Sequence, residues 1–207
     1  MRYSKDHKAE THDRIVKSAS VQLREGGPAS IGVAELMKEA GLTHGGFYAH
    51  FDSRDALIDE AFLHAMDLTV KRWRKRAELA PKGKELAAIV NGYLSTQHRD
   101  DVGNGCALPA LGAEVPRASP KIRKAVSTKL EEMIETVSEN MPGQTAKAVR
   151  REAIVAFATM VGTMALARMA GAGELSDEIL ATGRQGVLQV EAVAKRARKA
   201  RQDKGTA

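Results

Sequence analysis

The sequence predicts an all-α protein of about nine helices, because apolar residues recur every three or four positions along the chain and nowhere alternate with the period of a strand. Gly, Pro and short polar clusters interrupt these runs at Gly26-Gly27-Pro28, Pro81, Gly103-Asn104-Gly105, Pro116 to Pro120 and Pro142-Gly143. A third observation sets the organisation: residues 35–51 read as two short helices joined by a tight turn, a helix-turn-helix. The chain therefore divides into a three-helix head over residues 1–52 and a helical body over residues 53–207.

Residues 1–10 are polar and carry Arg2, Lys5 and Lys8, which predicts a flexible arm of the kind that reaches a minor groove or lies free. From Thr11, Ile15, Ala19 and Leu23 recur every four residues until Gly26-Gly27-Pro28 ends the first helix. Val33, Leu36 and Met37 continue the apolar face in the second. Ala40-Gly41-Leu42 makes the turn, with Gly41 free to take positive φ. Thr43 stands where a capping hydroxyl opens the next helix, and Phe47 and Phe51 come at i+4 and i+8, facing inward. His44, Gly45, Tyr48 and His50 then face outward. A glycine costs a helix about 0.5–1 kcal/mol relative to Ala, so Gly45 and Gly46 predict a surface that must approach something closely.

Asp52-Ser53 caps a long fourth helix carried by Ala56, Leu57, Ala61, Met66, Leu68 and Val70 toward Pro81. Its start belongs to the head and its remainder, with Trp73, to the body. The cluster Lys71-Arg72-Trp73-Arg74-Lys75-Arg76 reads as a solvated helix face with one buried aromatic. Further helices are expected over Glu85–Ser95, through a short apolar segment at Ala107–Leu111 ended by Pro116 and Pro120, and over Ile122–Met141. The last two run over Thr145–Ala170 and Ser176–Arg201. In the final helix Ile179, Gly183, Gly186, Val187, Val190 and Val193 form a stripe of small and β-branched residues that lets another helix come close.

Composition narrows the function. A formal net charge of +6 suits a polyanionic partner without naming one. The single cysteine, Cys106, excludes an intramolecular disulfide and the usual tetrahedral zinc sets, and fits a reducing cytoplasm. No N-terminal apolar run precedes a cleavage site, so a cytoplasmic location is expected. The apolar stretch Ala153–Ala170 is interrupted by Thr159, Gly162, Thr163 and Arg168, which predicts a buried helix and no membrane span. An all-helical enzyme is the weakest alternative: the chain has no Gly-x-Ser-x-Gly, no His-Glu-x-x-His and no phosphate-cradling loop after a strand. His7 and His12 lie in or beside the arm and His64 and His98 are isolated, so no catalytic residue, metal or cofactor is expected. A non-regulatory, nucleoid-type DNA-binding protein is the nearer alternative, but it has no use for so large an apolar body.

The run from Ala40 to Phe51, continued by Ser53-Arg54-Asp55-Ala56-Leu57, resembles the recognition signature of TetR-family transcriptional regulators, with Ile15, Ala19 and Gly26 matching the first helix. Two positions depart from the pattern: Ile31-Gly32 stands where a hydroxyl residue is usual, and Arg54 where Lys is usual. The expected partner is double-stranded DNA carrying a palindromic operator. The residues themselves suggest roles: Thr43 caps its helix and offers its hydroxyl to phosphate or base, and His44 and the backbone at Gly45 face the groove. The resemblance makes Tyr48 and His50 a phosphate-contacting pair, and Arg54 would anchor the far side of the groove.

A single head makes few contacts, so a homodimer through the last two long helices is expected to place two heads about 34 Å apart or a multiple of it. The resemblance also implies a ligand pocket in the body, with Met66, Tyr93, Cys106, Leu111, Met133, Phe157, Met160 and Met164 as its lining and a small-molecule inducer as its occupant. Some family members have a similar Gly-Cys approach to this helix and sense electrophiles or oxidants through the thiol. For Cys106 that role stands beside the plainer one of a small buried hydrophobe.

Overall fold

The structure, a computed structural model, describes residues 5–141 and 145–202. Among the described residues it is built from nine α-helices and three 3-10 helices, with no strand. The α-helices are α1 (Lys5–Gly26), α2 (Val33–Glu39), α3 (Arg54–Glu78), α4 (Glu85–Tyr93), α5 (Thr96–Asp100), α6 (Leu108–Leu111), α7 (Pro120–Glu139), α8 (Ala146–Ala170) and α9 (Glu174–Gln202). The 3-10 helices are η1 (Pro28–Ser30), η2 (His44–Ala49) and η3 (Gly112–Arg117). They gather into two compact units, Met1–Leu68 with Val102–Val126, and Thr69–Asp101 with Ser127–Ala207. The three-helix head expected over 1–52 falls inside the first unit, which also takes in the start of α3 and the segment 102–126.

The core of the first unit has the predicted period. Ile15, Ala19 and Leu23 of α1, Leu36 and Met37 of α2, Phe47 and Phe51, and Leu57 of α3 are all buried. Phe47 and Phe51 lie with ring centroids 5.4 Å apart. The expected arm is shorter than ten residues. Nothing in Lys5–Glu10 breaks a helix, those residues wind directly into α1, and Thr11 one turn later is already buried; residues 1–4 lie outside the described residues. Arg24 is buried at the end of α1, where Nε donates to the Gly103 carbonyl at 2.7 Å, Nη2 donates to the same oxygen, and Nη1 donates to Ser20 Oγ at 2.9 Å. Segment 102–105 is thereby fixed to α1.

In the second unit Trp73 is buried against Tyr93 and Phe157, edge-on at 5.5 and 5.9 Å. Ser95 Oγ accepts from the His98 amide and starts α5, a short helix that shows no apolar period in the sequence. Thr145 Oγ1 accepts from the Ala148 amide and starts α8. Arg99 is buried and donates to Asp100, Asp177 and Ser176, which fixes the first turn of α9. Pro120 does more than close the preceding segment, since it opens α7 as its first residue, where its missing N–H leaves no bond unmade.

Part of the stripe on α9 serves this chain's own packing. Gly183 sits so close to Thr163 of α8 that a Cβ would meet its Cγ2 and Oγ1, and Leu180 and Val187 are buried. The side chains of Val190 and Val193 lie outside the described ones. By length and composition α8 is apolar enough to cross a membrane, with a mean hydropathy of 1.6 over its best window. One side, including Ala153, Phe157, Met160, Met164 and Ala167, is buried in the second unit, while Ile154, Val155, Leu166 and Met169 stand exposed.

Candidate nucleic-acid interface

The turn before η2 is fixed by backbone geometry. The Gly41 amide donates to the Lys38 carbonyl at 3.0 Å and the Leu42 amide to the Met37 carbonyl at 2.8 Å, the paired bonds of a Schellman motif. Gly41 has φ +73°, which a residue with a Cβ would hold only under strain. The chain leaves α2 at a defined angle and delivers residues 43–50 to one edge of the first unit.

Beyond this turn, η2 is a 3-10 helix of six residues. Two adjacent glycines and so short a run favour the tighter i→i+3 pattern, seen in the bonds from the Gly46 amide to the Thr43 carbonyl and from the His50 amide to the Phe47 carbonyl. This corrects the expected cap. Thr43 occupies the N-cap position with extended backbone, but its side chain makes no capping bond. The amide a hydroxyl would serve, that of Gly46, is taken by the Thr43 carbonyl, and Thr43 is exposed.

Each expected contact residue has a defined environment, save that the side chain of His44 lies outside the described ones. Gly45 is exposed, and a Cβ built on it would meet nothing within 4 Å. Gly46 would meet only Met37 Cε at 3.6 Å and Thr43 Oγ1 at 3.7 Å, ordinary contacts. Neither has positive φ. The fold itself gives no reason for glycine at these two positions. Tyr48 is 69% exposed, held at its ring by an edge contact to Phe47 at 5.3 Å. Its hydroxyl is displayed by a rigid neighbour.

His50 is half-buried beside His12 and Phe51, with ring centroids 6.1 and 6.3 Å away. Its Nδ1 is buried without a hydrogen-bond partner among the described residues. Burial, then the charges of His12 and Lys8, hold its pKa below the ordinary histidine value, so the ring is neutral. His12, stacked on Phe51 at 4.5 Å, turns its Nε2 to Glu60 at 2.7 Å. Arg54 is directed inward: Nε donates to the Ile31 carbonyl at 3.0 Å, and Nη2 donates to the Pro28 carbonyl. These bonds tie the start of α3 to the α1–α2 connection, a positioning role that the sequence pattern did not disclose. Ser18 and Gln22 likewise donate to Glu39 at 3.2 Å each, bracing α1 against the end of α2.

The eight expected ligand-lining residues are all buried, and they are divided between the two units. Met66, Cys106 and Leu111 belong to the first unit, and Tyr93, Met133, Phe157, Met160 and Met164 to the second. Cys106 is only 1% exposed. The helix after it, α6, has four residues and starts two positions later, so the dipole available to a thiolate is small.

Residues 15–61 match the family model described as bacterial regulatory proteins, tetR family. Most of the chain is similar in fold to solved TetR-family regulators. One from Chloroflexus aurantiacus J-10-FL has a TM-score of 0.71 at 22% identity over 88% of this chain and 94% of that one. One from Cytophaga hutchinsonii has a TM-score of 0.73 at 17% identity, covering 92% and 98%. The reduced form of Escherichia coli NemR has a TM-score of 0.67 at 19% identity, covering 85% and 96%. Comparison with curated protein sequences finds no match. The chain thus carries a TetR-type N-terminal domain and the all-helical fold of the TetR-family regulators.

Proposed function

We propose that this chain is a sequence-specific DNA-binding transcriptional regulator, a cytoplasmic homodimer that represses from a palindromic operator and is released by a small apolar or electrophilic molecule. The observation that carries the DNA reading is Gly45, an exposed helical glycine that neither backbone angle nor internal packing requires. A residue retained at a cost of about 0.5–1 kcal/mol to the free fold serves close approach by a partner. Near it in the chain stand the exposed Tyr48 and the half-buried His50, whose hydroxyl and ring suit phosphate contacts. Tyr48 and His50 position the duplex, and Thr43 and His44 read it.

Two further observations support the rest. The exposed apolar face of α8, with Ile154, Val155, Leu166 and Met169, suits a second copy of the chain. The buried cluster of Trp73, Tyr93 and Phe157, with Met133, Met160 and Met164 in the same unit, gives the second unit an adaptable apolar interior for an inducer. Fluorescence anisotropy with a labelled operator and a scrambled duplex tests the reading. The regulator binds the operator at least a hundredfold tighter at physiological salt; equal affinity for both duplexes makes it a nucleoid-type protein. Cys106→Ser separates the two release routes, because a reversible ligand still frees that variant and a thiol-reactive inducer does not.

A further inference from the structure

One turn of α1 separates Lys8 from His12, which puts both on one face of the helix, and that face meets His50 at the end of η2. The His12 ring lies flat on Phe51, with centroids 4.5 Å and planes 25° apart, and its Nε2 is 2.7 Å from Glu60 Oε2 on α3. A carboxylate only accepts, so this Nε2 carries a proton and donates it. As a stabilising ion pair the contact adds little: the His12 and Glu60 side chains are 29% and 48% exposed, and water screens pairs so open to it.

His50 lies beside that fixed ring, 6.1 Å away between centroids. Its Nδ1 is buried with no hydrogen-bond partner among the described residues, whereas Nε2 is not buried in this way. A neutral imidazole carries one proton, and the nitrogen that can find an acceptor holds it. On His50 that nitrogen is Nε2, the one left to meet an acceptor outside the fold. Lys8, exposed one turn before His12, adds a positive charge near it. A donor beside a cation suits an anion such as a backbone phosphate.

We propose that His12 and Glu60 are a positioning pair for the DNA-facing His50. The Glu60 carboxylate holds the His12 ring against Phe51, the two rings close off Nδ1 of His50, and its Nε2–H is thereby presented to a phosphate that Lys8 helps to neutralise. The proposal rests on the DNA-binding reading above. It assigns to α1 and α3, outside the continuous stretch 43–50, the residues that set the geometry of one contact in it. A neutral donor releases no counterion, so the His50 contact supplies affinity without steepening the salt dependence, which falls to Lys8.

Glu60→Gln and Glu60→Ala remove the same charge, but only Gln keeps an acceptor for His12, so the ratio of their affinities reads the hydrogen bond apart from the charge. Anisotropy titrations of the full chain use the duplex that the parent enriches most from a random pool. Glu60→Ala is expected to bind it about fivefold more weakly than Glu60→Gln, and the two are expected to bind alike when each is combined with His50→Ala. Long-range proton–nitrogen NMR spectra of the free chain are expected to place the His50 proton on Nε2 in the parent and in Glu60→Gln, and to show the two tautomers exchanging in Glu60→Ala. Equal binding by Glu60→Ala and Glu60→Gln, a difference that persists without His50, or a parent His50 protonated on Nδ1 overturns the proposal and leaves the DNA reading intact. A parent that enriches no duplex removes the DNA reading and the proposal with it.

Discussion

Arg24 Nε lies 2.7 Å from the carbonyl oxygen of Gly103, across a separation of 79 residues in the chain. This bond makes the segment before Cys106 part of the same compact unit as α1. Charged hydrogen bonds of this kind contribute about 1.5–3 kcal/mol, and Arg24→Met keeps the stem while leaving the carbonyl unpaired. The variant is expected to lose about 2–3 kcal/mol in urea denaturation. Arg24→Lys recovers only part of it, because an ammonium cannot reproduce the fork that spans Gly103 and Ser20.

Gly45→Ala separates the needs of the fold from those of a partner. A Cβ there meets open space, so the free protein gains about 0.4–1 kcal/mol in thermal unfolding. Operator affinity in a gel-shift titration falls at the same time. Stabilisation with unchanged affinity places the DNA elsewhere.

Tyr48→Phe removes one hydroxyl from an exposed ring and leaves the Phe47 contact in place. Binding is expected to weaken by about 1 kcal/mol on every duplex alike, the mark of a phosphate contact. His44→Ala is expected to cost about 1–3 kcal/mol on the preferred operator and to relax the preference at one base position. Gel-shift titrations on the operator and on single-base variants distinguish the two patterns.

His98 makes stability depend on pH. Burial lowers its pKa to about 4 against 6.5 for the free side chain; Arg168, Arg72 and Arg76 add to the fall, and donation from Nδ1 to the Tyr93 carbonyl at 2.6 Å opposes it. Between those values the unfolded chain binds the proton and the folded chain does not. The contribution is therefore complete above about pH 6.5 and is lost as pH falls toward 4. About 2 kcal/mol should be gone by pH 5. Urea titrations at pH 7.5 and pH 5 measure the difference, which shrinks in His98→Gln.

Substitutions on the two sides of the last helices should behave oppositely. Val155→Glu and Leu166→Glu place charges on side chains 52% and 56% exposed in the single chain, so they should yield folded monomers in sedimentation. Val187→Glu buries a charge inside the chain and should unfold it, since Val187 is 1% exposed. A folded dimer carrying both exposed glutamates excludes the α8 face as the interface.

Local chemistry explains how much of this was legible in the sequence. The four-residue spacing of Ile15, Ala19 and Leu23, the Ser53 cap and the positive φ of Gly41 each depend on neighbours within a few positions. The groups proposed to face a duplex lie in one continuous stretch, so the candidate interface rests on local spacing alone. Arg24 with Gly103 and Arg54 with Pro28 are pairings between distant elements, and nothing in the spacing announces them. The six residues of η2 read as α-helix in the sequence because periods of three and four residues look alike over so short a run. The α9 stripe was legible as a close-packing face, but not which helix it packs against.

Selection from a pool of random duplex DNA by the purified chain, with sequencing of the bound fraction, tests the central claim most directly. The account predicts enrichment of an inverted repeat whose half-sites are centred about one helical turn or a multiple of it apart. A bound pool that stays random, or one that enriches a single unsymmetrical element, contradicts it.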